Sequence, residues 1–194
     1  MMTISDEMIE QLIKFEGCRL KAYKDIAGIW TIGVGHTGKE VKADMIITEE
    51  QAKEYLRKDI ATAEKYVNAL EKVVVAKHKT PMKQSQFDAI VSLVYNCGPS
   101  AIREGTTMRK VMINYGLYAP QIGKAFLLWV KATDPKTGTK VVSKGLQKRR
   151  AIEYAWYVFG KNYASELSNR KIKQGQRLWR IAPVLVRGER LWRK

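Results

Sequence analysis

Glu16 and Asp25 stand nine residues apart, and Thr31 follows six residues after Asp25. Between and beyond them runs Tyr23-Lys24-Asp25-Ile26-Ala27-Gly28-Ile29-Trp30-Thr31-Ile32-Gly33-Val34-Gly35-His36-Thr37. Two carboxyls in unlike surroundings across a cleft are what glycoside hydrolysis requires, one to protonate the leaving oxygen and one to work on the opposite face of the sugar. The same residues also have a plain structural use. A Glu closing a helix is commonly solvated, and an Asp shortly before a Gly is commonly a turn former.

The elements that must carry these side chains are legible locally. Ile9, Leu12 and Ile13 fall at helical spacing, Ser5 suits an N-cap, and Asp6 and Glu7 occupy the first turn. Glu16 continues that apolar face at the helix end, so apolar walls around it are expected, where a carboxyl ionises reluctantly. Asp25 sits in a polar, glycine-bearing stretch that favours the carboxylate. Ile29 to Ile32 reads as a strand, with Gly28 in the turn before it and Gly33-Val34-Gly35 in a tight return. Such a hairpin would bring Asp25 and Thr31 opposite the helix end.

This stretch, with Phe15-Glu16-Gly17 before it, resembles the signature of the phage-type lysozymes, the glycoside hydrolase family 24 endolysins. Their pattern is a Glu-Gly after the first helix, then Tyr-x-Asp-x-x-Gly and Thr-Ile-Gly-x-Gly-His-Thr, and every position is filled here. Three later segments fit in the same order. Gln84 to Gly98 resembles the family's central helix, Thr106 to Val111 a later helix start, and Gly145 to Glu153 its Gly-Leu-x-x-Arg-Arg-x-x-Glu close. The resemblance covers about residues 5 to 160. It implies an α+β, mainly helical lysozyme-like fold, with a small N-terminal lobe bearing a β-hairpin, a long connecting helix and a helical C-terminal lobe.

The implied activity is that of a phage endolysin, a muramidase hydrolysing the β-1,4 bond between N-acetylmuramic acid and N-acetylglucosamine in peptidoglycan. Glu16 would be the acid, and Asp25 and Thr31 would hold the water of an inverting reaction. No metal or cofactor is implied. Tyr95 and Asn96 are candidate sugar contacts, or a core residue and a cap. A lytic transglycosylase is the alternative within enzymes, although it needs no water-activating Asp. The resemblance also implies accumulation in the host cytoplasm until a holin opens the inner membrane.

Thr48-Glu49-Glu50-Gln51 is a capping-box signature opening a helix of roughly 20 residues, with Ala52, Leu56, Ile60, Ala63 and Val67 on one face. His36 is within plausible reach of Asp59 on that helix. Ala125 to Trp129 reads as an apolar helix, and Asp134 to Gly138 as a turn-rich loop. Arg149 and Arg150 suit either acidic substrate groups or a surface ion pair with Glu153. Cys18 and Cys97 have no metal-ligand spacing with His36 and His78, and a buried free thiol is expected at Cys18.

The 194 residues suit one catalytic domain, and 45% hydrophobic and 28% charged residues are ordinary for a soluble protein. A net charge of +16 is not ordinary and points to anionic partners. No nucleic-acid motif accompanies it. No apolar run is long enough to span a membrane, and no signal peptide is expected at the amino terminus. Residues 161–194 read as a separate basic extension to the 1–160 domain, with ten Lys or Arg against two Glu. They repeat Gly-x-Arg-Leu-Trp-Arg, placing Arg177, Trp179 and Arg180 in one copy and Arg190, Trp192 and Arg193 in the other. Tryptophan flanked by arginine suits anionic lipid, lipopolysaccharide or wall polymer, and equally suits Trp179 and Trp192 docking on the catalytic domain with the arginines solvated. A cationic protein disrupting membranes through this tail is therefore a reading from a different class. A monomer is expected.

Overall fold

The computed structural model describes residues 1–25 and 27–160. The tail candidates Arg177, Trp179, Arg180, Arg190, Trp192 and Arg193 lie outside the described residues.

Helix α1 spans Asp6–Glu16 and buries Met8, Ile9 and Leu12. Ser5 caps it, its hydroxyl accepting from the Met8 amide. The same hydroxyl donates to Asp88 at 2.5 Å, and the Ser5 amide donates to the other oxygen of that carboxylate at 3.0 Å. Asp88 is buried in the middle of the central helix, so the start of α1 is pinned to the core. Strands β1 (Arg19–Lys24) and β2 (Trp30–Gly33) then form an antiparallel hairpin, pairing Tyr23 with Thr31 and Lys24 with Trp30. Gly33 has φ 63°, a conformation that favours glycine at this return, and it packs against Ala52.

The α2 helix, Glu49–His78, opens with the expected capping box between Thr48 and Gln51. It runs 30 residues rather than about 20. The apolar stripe simply continues through Leu70 and Val74 before Lys79 adopts a left-handed conformation and ends it. At 1.5 Å per residue this is a rod of roughly 45 Å. Its first turn supplies Ala52 to a small core with Ala22, Ile32, Val41 and Ile47, while Leu56 to Val74 belong to the large core. One helix thus serves both lobes.

The helix α3 (Gln84–Cys97) is buried on every side from Gln86 to Val94, as a central helix must be. Around it lie α4 (Thr107–Tyr115), α5 (Gln121–Leu127) and α6 (Lys144–Phe159). The apolar helix expected near Ala125–Trp129 starts earlier and ends at Leu127. A second hairpin, β3 (Lys131–Thr133) with β4 (Lys140–Val142), flanks the expected Asp134–Gly138 turn. Sequence periodicity misses it because both strands are three residues long and mostly exposed.

Burial raises the Asp88 pKa above the ordinary carboxylate value, against the pull of its bonds from Ser5 and Gln84. A raised folded-state pKa means the native state holds its proton more tightly than the unfolded chain. That contribution to stability is full below the unfolded pKa and is lost as pH rises through the folded one. The thermal midpoint of the wild type relative to Asp88→Asn is therefore expected to fall as pH is raised upward from about 4. A flat difference would contradict this.

Candidate active site

Glu16 is the last residue of α1. Its carboxyl opens into a groove of about 430 Å³ lined by α1 (Gln11, Lys14, Phe15), by Asn96 at the end of α3, and by the first turns of α6 from Ser143 to Ile152. The expected apolar enclosure is not found. The side chain is 32% exposed, and Arg149 Nη1 lies 2.5 Å from Oε1. Helical periodicity places Glu16 on the right face of α1, but it cannot show a partner 133 residues away.

Arg149 is held in turn. Its Nε donates to Glu153 at 3.0 Å, and its guanidinium stacks 4.8 Å from the Phe15 ring centroid. Glu153 is fully buried and also accepts from Ser92 at 2.7 Å and from Arg150 Nη2 at 3.1 Å. Arg150 continues to Asn96 at 2.8 Å and to the Cys97 sulfur at 3.0 Å. The ion pair expected among Arg149, Arg150 and Glu153 exists, but it is buried rather than on the surface. All three point inward because α6 packs this face against α3. Burial pushes the Glu153 pKa up, and the two arginines and Ser92 oppose it. Glu153→Leu would take the shared buried carboxylate from two buried guanidinium groups, leaving Arg149 only Glu16 and Arg150 no carboxylate, so a loss of about 3–5 kcal/mol is expected, read as a lower urea midpoint.

Two buried donors near Glu16, Gln11 Nε2 and Arg149 Nη2, have no hydrogen-bond partner among the described residues. Both residues line the groove, but these two atoms are themselves buried beneath its surface. The sequence reading missed Gln11. The signal was a polar residue on the face of α1 that also carries the core positions Met8 and Leu12.

Asp25 and Thr31 are organised by one turn. The Asp25 amide donates to Ile29 O at 2.9 Å, and Gly28 to Asp25 O at 3.0 Å. Gly28 has φ 79°, which the turn demands and glycine meets without strain. Asp25 Oδ1 accepts from the amides of Ala27 at 2.9 Å and Ile29 at 2.8 Å. The buried Thr31 hydroxyl donates to Ile29 O at 3.1 Å. Ile29 therefore ties both candidates together. Neither residue is among those lining the groove at Glu16, which is walled by helices alone.

Asn96 lines the groove with its carbonyl held by Arg150. Tyr95 does not line it. Tyr95 is half-buried against the large core, and its hydroxyl is pushed up to about 12 by burial, with help from the Asp59 and Glu16 charges. His36 does meet Asp59, with Nδ1 2.9 Å from Oδ1, and its Nε2 lies 3.1 Å from Glu40. Its ring stacks on Tyr55 at 4.3 Å between centroids. The imidazole thus fastens the loop after β2 to α2. Cys18 is exposed rather than buried, because it follows the helix end on the open side of Gly17. Among the described residues no group of His, Cys, Asp or Glu could hold a metal ion.

The family model described as phage lysozyme matches residues 13–153. An endolysin of Acyrthosiphon pisum secondary endosymbiont phage 1 is 39% identical over 156 residues, covering 80% of this chain and 98% of that one. Among solved structures, an endolysin from Escherichia coli O157:H7 phage FAHEc1 superposes with TM-score 0.66 at 37% identity, covering 81% of this chain and 94% of that one. The muramidase domain of SpmX from Asticaccaulis excentricus does so with TM-score 0.67 at 30% identity, covering 81% and 99%.

Proposed function

The chain belongs to the phage lysozyme family, and from that membership we propose a residue-level mechanism for it. It is a glycoside hydrolase, a phage endolysin that lyses peptidoglycan. In our reading the bond cleaved is the β-1,4 link between N-acetylmuramic acid and N-acetylglucosamine, and the anomeric centre is inverted. The observation that carries the reading is the Glu16 carboxyl opening into a groove, with Arg149 orienting it from one side.

A glycan strand in that groove covers the exposed part of Glu16 and continues beyond the groove's own lining to Asp25 and Thr31 on the hairpin. Water is shut out there, so the proton of Glu16 passes to the leaving oxygen rather than to solvent. Water is handled by the hairpin. Asp25 Oδ1 is occupied by two amides, and its Oδ2 has no hydrogen bond among the described residues. Thr31 spends its proton on Ile29, so its oxygen remains an acceptor. Two acceptors take the two hydrogens of one water, whose lone pair is then left for the anomeric carbon. Asp25 receives the proton as attack proceeds.

Thr31→Val keeps the shape and removes one acceptor. A fall in turnover of roughly tenfold to a hundredfold is expected, the worth of one hydrogen bond to the reacting water. The function itself is tested by digesting purified peptidoglycan and following new reducing ends. Their appearance supports hydrolysis, and anhydro-sugar ends would indicate a lytic transglycosylase instead.

Residues 1–160 are the catalytic unit in this reading, acting as a monomer without a cofactor. The basic stretch 161–194, through Arg177, Trp179, Arg180, Arg190, Trp192 and Arg193, binds anionic lipid or lipopolysaccharide. Deleting 161–194 should leave peptidoglycan cleavage intact and abolish binding to anionic liposomes. Unchanged liposome binding would dispose of the lipid role. The described residues contain no helix long and apolar enough to cross a membrane. We place the chain in the host cytoplasm until a holin admits it to the wall. Fractionation of cells expressing it without a holin should find it in the cytosol.

A further inference from the structure

Helices α3 and α6 run antiparallel, and the two ends of the pair differ in character. At one end Arg150 meets Asn96 beside the groove, and Ser92 meets Glu153 further along. At the other end Gly160, the last described residue, lies against Ser85 in the first turn of α3. The 14 residues of α3 set this far pole roughly 20 Å from the groove.

The pole presents two tyrosines on a fixed frame. Tyr115 closes α4 and Tyr118 lies in the loop after it, 66% and 61% exposed. The backbone around them is held from inside. His78 Nε2, at the end of α2, donates to Ile113 O at 2.9 Å, and the His78 ring packs against Gly116. Leu117 O accepts from the buried Tyr157 hydroxyl at 2.7 Å. Lys83 sets its ammonium 5.6 Å from the Tyr118 ring centroid, and the exposed Lys77 and Lys79 flank His78. The segments that meet here, 72–87, 105–124 and 154–160, hold seven Lys or Arg and no Asp or Glu. None of the seven is in an ion pair among the described residues. The carboxylate of the neighbouring Glu71 is taken by the Met82 amide at 3.2 Å.

A tyrosine ring has an apolar body and a polar tip, which suits the headgroup level of a bilayer, and lysines beside it reach lipid phosphates. The chain leaves the domain at this same pole and continues into 161–194, with ten Lys or Arg against two Glu. Resting on the reading that this stretch binds anionic lipid, we propose that Tyr115, Tyr118, Lys77, Lys79 and Lys83 form a second membrane contact, which seats the folded domain on an anionic phospholipid surface with the groove turned away from the bilayer. The tail tethers and the pole orients. Stable attachment takes two such signals, and the pole alone is too small to replace the tail. A domain seated in this way offers its groove to the wall rather than to the lipid.

Hydrogen exchange of the full chain tests the orientation, with vesicles of phosphatidylglycerol and phosphatidylcholine and with phosphatidylcholine alone. On the anionic vesicles exchange should slow in 77–83 and 114–120, and stay unchanged in 19–33 and 143–148 near the groove. Protection of the groove segments, or none at the pole in chain that has bound, would overturn the proposal.

Affinity supplies a second readout. Lys77→Gln/Lys79→Gln/Lys83→Gln is compared with Lys21→Gln/Lys39→Gln/Lys42→Gln, which removes the same charge from exposed positions of the small lobe at the other end of α2. One lysine near an anionic surface is worth about fivefold, so the pole variant should bind anionic vesicles roughly 10- to 100-fold more weakly than the control. Tyr115→Ser/Tyr118→Ser keeps every charge and should also bind more weakly. Both pole variants should digest purified peptidoglycan at the wild-type rate. Equal affinities of the pole and control variants, or full binding by the tyrosine variant, would contradict the contact. The tail reading fails separately, if deleting 161–194 leaves vesicle binding unchanged. The pole is then decided by tethering the chain through a C-terminal hexahistidine to nickel-chelating lipid in the same anionic vesicles and repeating the exchange measurement, with the same outcomes for and against.

Discussion

Glu16→Gln is expected to lower turnover on purified peptidoglycan by roughly 10²–10⁴-fold, the range that one general acid supplies. The amide is nearly isosteric with the carboxyl, and its oxygen still accepts from Arg149. It has no acidic proton to give to the leaving oxygen. The Arg149–Glu153 contact and the Ser92 bond are untouched, so the core of α6 against α3 should persist. The replaced side chain is about one-third exposed at 32%, and its pair with Arg149 is therefore screened by solvent. A thermal midpoint close to that of the wild type is the accompanying expectation. Full clearing of outer-membrane-stripped cells by this variant would move the lytic agent elsewhere, to the basic residues beyond 160.

Asp25→Asn should fall within a similar range, about 10²–10⁴-fold, for a different reason. Of the carboxylate the turn uses only Oδ1, which accepts from Ala27 and Ile29. An amide oxygen in that place can keep both bonds, so the hairpin and Thr31 stay where they are. What disappears is the negative charge that would take a proton from water. Turnover should collapse with little change in substrate affinity. A variant that instead lost affinity and kept its turnover would make Asp25 a turn former and nothing more. Added azide, a small anionic nucleophile that needs no base, should restore part of the lost rate for Asp25→Asn and none for Glu16→Gln.

The sequence was most informative where local rules suffice. Ser5 as a cap, the hairpin around Gly28, the capping box at Thr48 and the stripe from Ala52 to Val67 each follow from a few adjacent residues, and each is present. The His36–Asp59 contact spans 23 residues and was still within reach of the argument, because both elements were already placed. Less legible were the features made by distant packing. Nothing near Glu16 announces Arg149, and nothing near Arg149 says that its side chain turns inward. The Gly-Leu-x-x-Arg-Arg-x-x-Glu spacing puts three charges on one helical face, which reads as solvated until α3 is laid against it. The β3–β4 hairpin escaped because Lys-Ala-Thr and Lys-Val-Val carry no apolar alternation long enough to mark a strand. It is the same hairpin that brings Lys131 and Lys140 to the cavity beside the groove.

The central claim is that Glu16 gives a proton on one face of the sugar while a water held by Asp25 and Thr31 attacks from the other. Proton NMR of the reducing ends, recorded as they are released from peptidoglycan and before they mutarotate, tests it most directly. Attack from the opposite face of a β-linked sugar predicts the α-anomer as the first product. The β-anomer, or an anhydro-sugar with no reducing end at all, would contradict it.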